Sequence, residues 1–479
     1  MMLNSTKPIL KKKSHIGWAN NTNLIILAFS TVFYARIICT LTPLPSILNH
    51  AHLAIVPLVF LIAVITTPTK DRQQIKLILF LLSGLFIFLI AILTSAFWNQ
   101  AGLINAIASF IMLGEPVLLV ATMACIPMTV HSFKKLKQWL MYSMAINFFL
   151  AAIQKPLINS GRLYAGGFNG TDGCGGVFFV SGAGNYVSAS VSVAFALYFF
   201  FNEKIFPLWV RILVFLAAFW HVLFSDSKQL VLAYALAWLI LVLINTKDIK
   251  KSLKLLIGII VISLIFFWCV QNIEAFAAFK SWARPELYGK DGDAWYAKFY
   301  SINVILSEFQ SPLNWLFGLG PGHTVSRLGA WFLQDYASIL APLGATTKYI
   351  GVDAREFVGS FWLTLGSSLF SPIFGWAGIW GDLGLVGLSV YFYLGYLVWQ
   401  NFALDDSLKV TLLSIFVMGF IFTQMEEPGY MLSIAMILGL AWQERRIKRL
   451  ERERAFFSGE TSSLENEGLN YHSYLFYRK

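Results

Sequence analysis

Charge is scarce in this chain. Asp, Glu, Lys and Arg make up 13% of the 479 residues, while 57% are hydrophobic. A water-soluble protein of this length cannot hide that much apolar surface. The scarcity therefore excludes a soluble globular enzyme, and it also excludes a nucleic-acid-binding surface built on basic patches. Cysteine is scarce too: Cys39, Cys125, Cys174 and Cys269 have neither metal-ligand spacing nor a disulfide framework. Cys39, Cys125 and Cys269 sit in or near apolar runs and read as packing residues, and Cys174 falls in a polar loop. No metal and no cofactor is expected. Tandem repeats of short period are missing. Nothing at the start resembles a cleaved signal peptide, and KPILKKKSHIGWANNT reads as a basic tail ahead of a first span that stays in place.

What the chain does have is long apolar runs. They recur near residues 23–42, 52–67, 76–95, 102–127, 137–154, 182–201, 208–224, 228–245, 253–270, 379–401, 408–425 and 429–443. Each is of the order that crosses a bilayer as a helix, about 17–25 residues. The expected fold is all-α: a polytopic membrane protein of about twelve spans. Lysine and arginine concentrate in TKDRQQIK, HSFKKLK, NEKIFPLWVR, NTKDIKKSLK, FALDDSLK and QERRIKRLERER. The alternate loops TPLPSILNHAH, AFWNQ, SDSK and TQMEEPGY carry few. That bias places both termini in the cytoplasm and the chain in the plasma (inner) membrane. The organisation is then a basic tail (1–22), spans 1–9 (23–270), a large helical extracytoplasmic loop (271–378), spans 10–12 (379–443) and a C-terminal cytoplasmic tail (444–479). The tail alternates Glu with Arg or Lys and then turns polar, which reads as a solvated helix end running into disorder.

The polar inventory gathers on the outer side. Arg36 lies late in span 1, where it can snorkel. Glu115 precedes Pro116 in span 4, where backbone groups freed by the proline can satisfy it; an ionisable group in a span is also a candidate site. The long loop carries Arg284, His323, Arg327 and Arg355 among many aromatics. Cations suit phosphate oxygens, and aromatic rings suit sugar faces or an interfacial belt. Residues 294–310 have helical spacing, with Ser311-Pro312 as the stop. In FGLGPGHT, Gly318, Gly320 and Gly322 permit a tight turn whose N–H groups can approach an anion. Glu426-Glu427 before Pro428 can bind sugar hydroxyls or form a plain loop.

Several phrases stand in a telling order: RLYAGGF from Arg162, GAGNYVSAS with Asn185, FSDSKQL with Lys228, WLFGLGPGHT, and WGDLGLVGL from Trp380 to Leu388. Over roughly residues 155–400 the chain resembles the O-antigen ligase and Wzy-type polysaccharide polymerase superfamily of membrane glycosyltransferases. It departs from that pattern in three places. Lys228 stands where the family has arginine, Asp382 stands where it has Glu, and SLFSPIFGWAGIWGDLG lacks the family's His-Asn pair.

The resemblance implies a donor glycan on a polyprenyl pyrophosphate and a glycan or lipid acceptor, joined without a metal at the outer face of the membrane. Fixed cations would stabilise the leaving pyrophosphate: Arg162, Lys228, Arg284, Arg327 and Arg355. A base would take the proton of the acceptor hydroxyl: His323 first, then Glu115, Glu426 and Asp226. Arg162, Lys228 and His323 are expected to line one pocket. The partners are the lipid-linked donor, the acceptor and membrane lipids, with no nucleic acid. Two other readings fit the same layout: a transporter or flippase of a polar or lipid-linked sugar, and a non-catalytic partner in envelope polysaccharide assembly.

Overall fold

The structure is a computed structural model that describes residues 21–67, 71–164, 172–244, 249–276, 285–289 and 292–458. Arg284, residues 165–168 of the RLYAGGF phrase, residues 1–20 and residues 459–479 lie outside the described residues. Among the described residues every regular element is helical. A helix stands at each apolar run. In chain order these are α1 (Asn21–Phe33) with α2 (Ala35–Leu41), α3 (His52–Thr66), α4 (Arg72–Trp98), α5 (Leu103–Cys125), α6 (Val130–Asn159), α7 (Gly184–Asn202), α8 (Leu208–Phe224), α9 (Gln229–Ile244) and α10 (Ile249–Asn272). Within the polar interval stand α11 (Asp293–Ser307), α12 (Pro312–Phe317) and α13 (Tyr349–Ser360). After it come α14 (Gly375–Phe402), α15 (Asp406–Met418) and α16 (Pro428–Ser458).

Among the described residues, five helical segments are long and apolar enough to cross a membrane: Ser46–Thr66, α4, α5, α7 and Ser368–Phe402. The count becomes six when α1 and α2, bent by 54° at Tyr34, are taken as one span. Residues 23–42 are thus not a straight helix. The helices α8 and α9 are apolar but shorter.

The helix α4 packs against α5 and α14, α5 against α3 and α16, α7 against α8, and α9 against α15. Close approach of α4 and α14 depends on Gly84, where a Cβ would lie 2.6 Å from Leu397 Cδ1 and 2.9 Å from Leu394 Cδ2. Small residues at such crossings let apolar helices reach full van der Waals contact where no hydrophobic effect drives them together.

Loop contacts gather at two ends of the bundle. At one, Arg446 pairs with Asp71 at 3.1 Å and Lys137 with the buried Glu203 at 2.5 Å. At the other, Asn105 of α5 bonds the carbonyls of Pro321 and Thr346 at 2.9 and 2.8 Å. Gln229 meets Ser367 and Ser368 there, each at 3.3 Å.

Ser311-Pro312 does not stop the helix before it. The α11 helix already ends at Ser307, and Ser311 caps α12 in a capping box with Asn314, with Pro312 at the first helical position.

Gly84→Leu should overfill the α4–α14 crossing and lower stability by about 1–3 kcal/mol. Thermal unfolding of the detergent-solubilised protein measures this, and an unchanged midpoint would show the crossing to be loose.

Candidate functional site

The span α14 is broken inside the closing phrase. Gly384 has φ 66° and ψ −168°, outside helical geometry. A side chain there would meet the Leu316 carbonyl oxygen at 2.3 Å and Gly318 N at 2.5 Å. The glycine phrase runs through this break. Leu319 N donates to Gly381 O at 2.8 Å and Gly320 N to Asp382 O at 3.0 Å. Gly318, Gly320 and Gly322 have φ of 68°, 105° and 73°, the left-handed region that favours glycine.

The turn wraps around a carboxylate. Asp382 Oδ2 accepts from Gly322 N at 2.7 Å and from Ser326 Oγ at 2.6 Å. Its Oδ1 accepts from Thr324 N at 2.9 Å and from Thr324 Oγ1 at 2.6 Å. The backbone donors of the glycine phrase do approach an anion, but the anion belongs to the chain itself. This corrects the expectation that they face a phosphate-bearing ligand: with Gly322 N, Thr324 N and both hydroxyls spent on Asp382, the turn has no such donors left to offer.

His323 is also turned inward, at 3% exposure. Its Nδ1 donates to Leu319 O at 2.9 Å, and its Nε2 meets Thr346 Oγ1 at 2.8 Å. Burial holds its pKa below the usual value, and Lys348 adds to that, against the opposing pull of the Leu319 carbonyl. With both nitrogens bonded, this histidine braces the turn in this conformation.

Arg162 is exposed, and no described residue bonds its side chain. Lys228 pairs with Asp226 at 2.7 Å. Asp226 itself has φ 51°. Asn185 supports the same corner, donating to Ser225 O at 2.9 Å and to Asp172 Oδ1 at 3.3 Å. Arg162, Lys228 and His323 line neither of the two cavities described below, and no contact among the described residues joins the three. The expected convergence is therefore not found there: His323 is held against α5 by the Thr346 contacts, while Lys228 sits at the α8–α9 corner. Arg355 pairs with Asp335 at 2.8 Å, both side chains near half exposed, a surface contact of little energy.

A different set does converge. Arg327 N donates to Glu426 Oε2 at 2.7 Å, and Arg327 Nη1 to the Glu426 carbonyl at 3.2 Å. Arg327 Nη2 pairs with Glu427 Oε2 at 3.0 Å. Arg36 does not snorkel freely: its Nε donates to Val180 O at 3.1 Å, and its electrostatic neighbours include Glu427, Arg327 and Tyr336. Val180 carries φ 55°, an uncommon state for a β-branched residue and a mark of local strain. His50 lies in the field of both arginines and packs edge-on against Phe332 at 4.8 Å and Tyr336 at 5.3 Å. Nearby, Glu115 is 1% exposed and bonds His52 Nδ1 at 2.8 Å. Its partner is thus a histidine of α3 rather than backbone freed by Pro116.

Glu426 keeps one oxygen spare. The residue is 5% exposed, and Oε1 has no hydrogen-bond partner. It borders a cavity of about 10 Å³, lined by Asp382, Ser326 and Ser109 among others, with room for one water. Burial raises the Glu426 pKa to about 8; Asp382 and Glu427 push the same way, and the bond from Arg327 N opposes. Below this lies a second, apolar cavity of about 300 Å³ between α5, α14, α15 and α16. Leu113 borders both cavities, and Pro116, Trp376, Tyr391 and Met425 line the apolar one. It opens sideways past Phe392, Tyr396 and Phe416, which are 41%, 54% and 37% exposed. A charged mouth thus stands over an apolar groove.

Sequence reasoning named Arg327, Glu426 and Glu115 but passed over His50 and His52, and treated Arg36 and Asp382 as secondary. The available signal was the placement of Arg36, His50-Ala-His52 and Glu426-Glu427 at the same ends of their spans. No family model matches the chain, and no curated protein matches it in sequence.

Two outcomes follow. Asp382→Ala would strand four donors at about 1–3 kcal/mol for each that water cannot reach, so the variant should be recovered poorly or unfold well below the parent. Glu426 keeps its proton in the folded protein up to about pH 8, while the unfolded chain releases it in the ordinary carboxylate range. Stability should therefore fall as pH rises from about 5 to about 8, and Glu426→Gln should flatten that slope in thermal unfolding.

Proposed function

We propose that this chain is a membrane glycosyltransferase-like protein of the O-antigen ligase and polysaccharide polymerase type. In this reading it has about twelve spans in the plasma membrane, cytoplasmic termini, and the interval 271–378 on the outer side. The donor is a glycan on a polyprenyl pyrophosphate, and the acceptor is a glycan or lipid.

The observation that carries the reading is the charged mouth over the apolar groove. An amphiphile with an anionic head and a hydrocarbon tail needs both, adjacent and open to the bilayer. The groove offers a tail site among Pro116, Trp376, Tyr391 and Met425. Arg327, bonded to Glu426 and Glu427, and Arg36, in the field of Glu427, are the cations of the mouth, and fixed cations there stabilise charge that grows on a departing pyrophosphate. Glu426 is the base of this reading. Its free Oε1 takes the proton of the acceptor hydroxyl as that oxygen attacks the anomeric carbon and the bond to pyrophosphate breaks. Glu426 acts in its ionised form, so turnover rises with pH toward about 8. The glycine phrase serves as scaffold, presenting Arg327 through the Asp382 lock. Arg162 and Lys228 lie outside this mouth and are secondary.

One observation favours a flippase or transporter instead. The Glu115–His52 pair is fully buried within spans, where such pairs mark proton or substrate paths. A non-catalytic partner in polysaccharide assembly would need neither the base nor the cations.

Arg36→Ala and Arg327→Ala should each lower glycan transfer by about 10²–10³-fold, the cost of removing a fixed charge-stabilising group. Arg162→Ala and Lys228→Ala should cost less than tenfold. The assay is product formed by purified protein in detergent from a lipid-linked donor and acceptor. Transfer without a sealed membrane supports the enzyme. Absence of transfer, combined with movement of the donor across vesicles, would replace it with the flippase.

A further inference from the structure

One buried cation has no role in the reading above. Lys298 projects from α11, in the interval between α10 and α14. Its ammonium donates to three backbone carbonyls: Leu369 O at 3.2 Å, Ser371 O at 2.9 Å and Ile421 O at 2.8 Å. The Phe374 ring covers it, with Nζ 4.6 Å from the centroid. No carboxylate among the described residues pairs with it. The residue as a whole is half-buried, but its charged end is enclosed. Three acceptors match the three N–H donors of an ammonium, and the ring face supplies further attraction to a cation. Burial pulls the lysine down to about 7.

The carbonyls come from segments remote in sequence. Leu369 and Ser371 precede α14, and Ile421 lies in the link that carries Glu426 and Glu427. The same link is tied to the start of α14 by Gly375 N to Phe422 O at 3.2 Å and Trp376 N to Gly419 O at 3.1 Å. Trp376 Nε1 adds a bond to Phe416 O at 2.8 Å. Lys298 bridges these two segments from a third element. We propose that the carbonyls of Leu369, Ser371 and Ile421, with the face of Phe374, form a binding site for a small alkylammonium ion, which the chain fills with the tip of Lys298. A cage made of backbone carbonyls and one ring persists when the lysine is shortened. It then takes a free ammonium of the right length, and the link from Gly419 to Glu427 stays seated only while the site is filled. This inference does not depend on the proposed glycan transfer.

Lys298→Ala removes a segment equal to n-propylammonium, which is therefore the probe. In purified protein the variant should unfold at lower temperature than the parent, with faster amide exchange over residues 419–427. Millimolar n-propylammonium should restore both in a saturable way. Neutral n-propanol should not, for want of charge, and tetramethylammonium should not, for want of N–H donors. Lys298→Met, which fills the apolar stem as far as Cε but lacks the charged nitrogen, should be as impaired as Lys298→Ala and indifferent to the amine. Equal restoration by propanol, or a Lys298→Met variant with parental stability and exchange, would overturn the proposal by showing that the pocket wants only apolar volume. Should Lys298→Ala not be recovered, Lys298→Met and Lys298→Arg are compared. The proposal expects Arg, which keeps charge and donors, to be recovered better, and the reverse order would sink it.

Discussion

The Asp382 carboxylate takes two donors on each oxygen, all from the turn between Gly322 and Ser326. A buried carboxylate left bare is far too costly to persist, and one so fully bonded can instead organise the chain around it. It does so at a break in a span. Helix α14 loses its regular backbone at Gly384, and the vacated space is occupied by the turn that follows α12. Backbone at this position needs partners from outside the helix, and the glycine phrase supplies them through Leu319 N and Gly320 N. The Ser95 hydroxyl reaches the carbonyls of Phe317 and Asp382 at 2.6 and 2.8 Å, tying the seam to α4. The turn from Gly322 to Ser326 is positioned by this one acidic group, and Arg327, the next residue, is where the lock meets the charged mouth.

The helices were largely legible in the sequence, because an apolar run long enough to cross a bilayer has few alternatives to a helix. Their irregularities were less so. The 54° bend at Tyr34 has no proline or glycine to announce it, and Ser311-Pro312 is a boundary whose side was misread: the same pair can stop one helix or cap the next. Local pattern marks the boundary, while the reach of Asn314 back to Ser311 decides its direction.

The site was legible only in part, and the physics explains which part. Residue chemistry pointed to Arg327 and Glu426, since a cation and an acid beside spans rarely lie idle. It also pointed to His323, Arg162 and Lys228, where the structure brings no convergence among the described residues. A glycine-rich turn offers N–H donors to an anion, but the sequence does not say whether that anion is a ligand or an aspartate some sixty residues downstream. The closing phrase held the clue: Asp382 stands beside Gly381 and Gly384, both of which press against the turn. A small residue on each side of a lone acid in a span suggests that another backbone comes close to that acid. Lys298 was equally hidden, because its partners are carbonyls, which no residue pattern encodes.

Two acids at one water-sized cavity have been given opposite conditions. Asp382 is bonded on both oxygens and is committed to the fold. Glu426 has a single backbone donor, from Arg327, and one oxygen with nothing to bond. Of the two, Glu426 alone leaves a side-chain oxygen without a partner among the described residues. The same asymmetry separates the arginines: Arg327 is held on three sides by Glu426 and Glu427, whereas Arg36 leans on the carbonyl of a strained valine. The cations thus differ as the acids do: Asp382 and Arg327 are held by several partners, Glu426 and Arg36 by fewer.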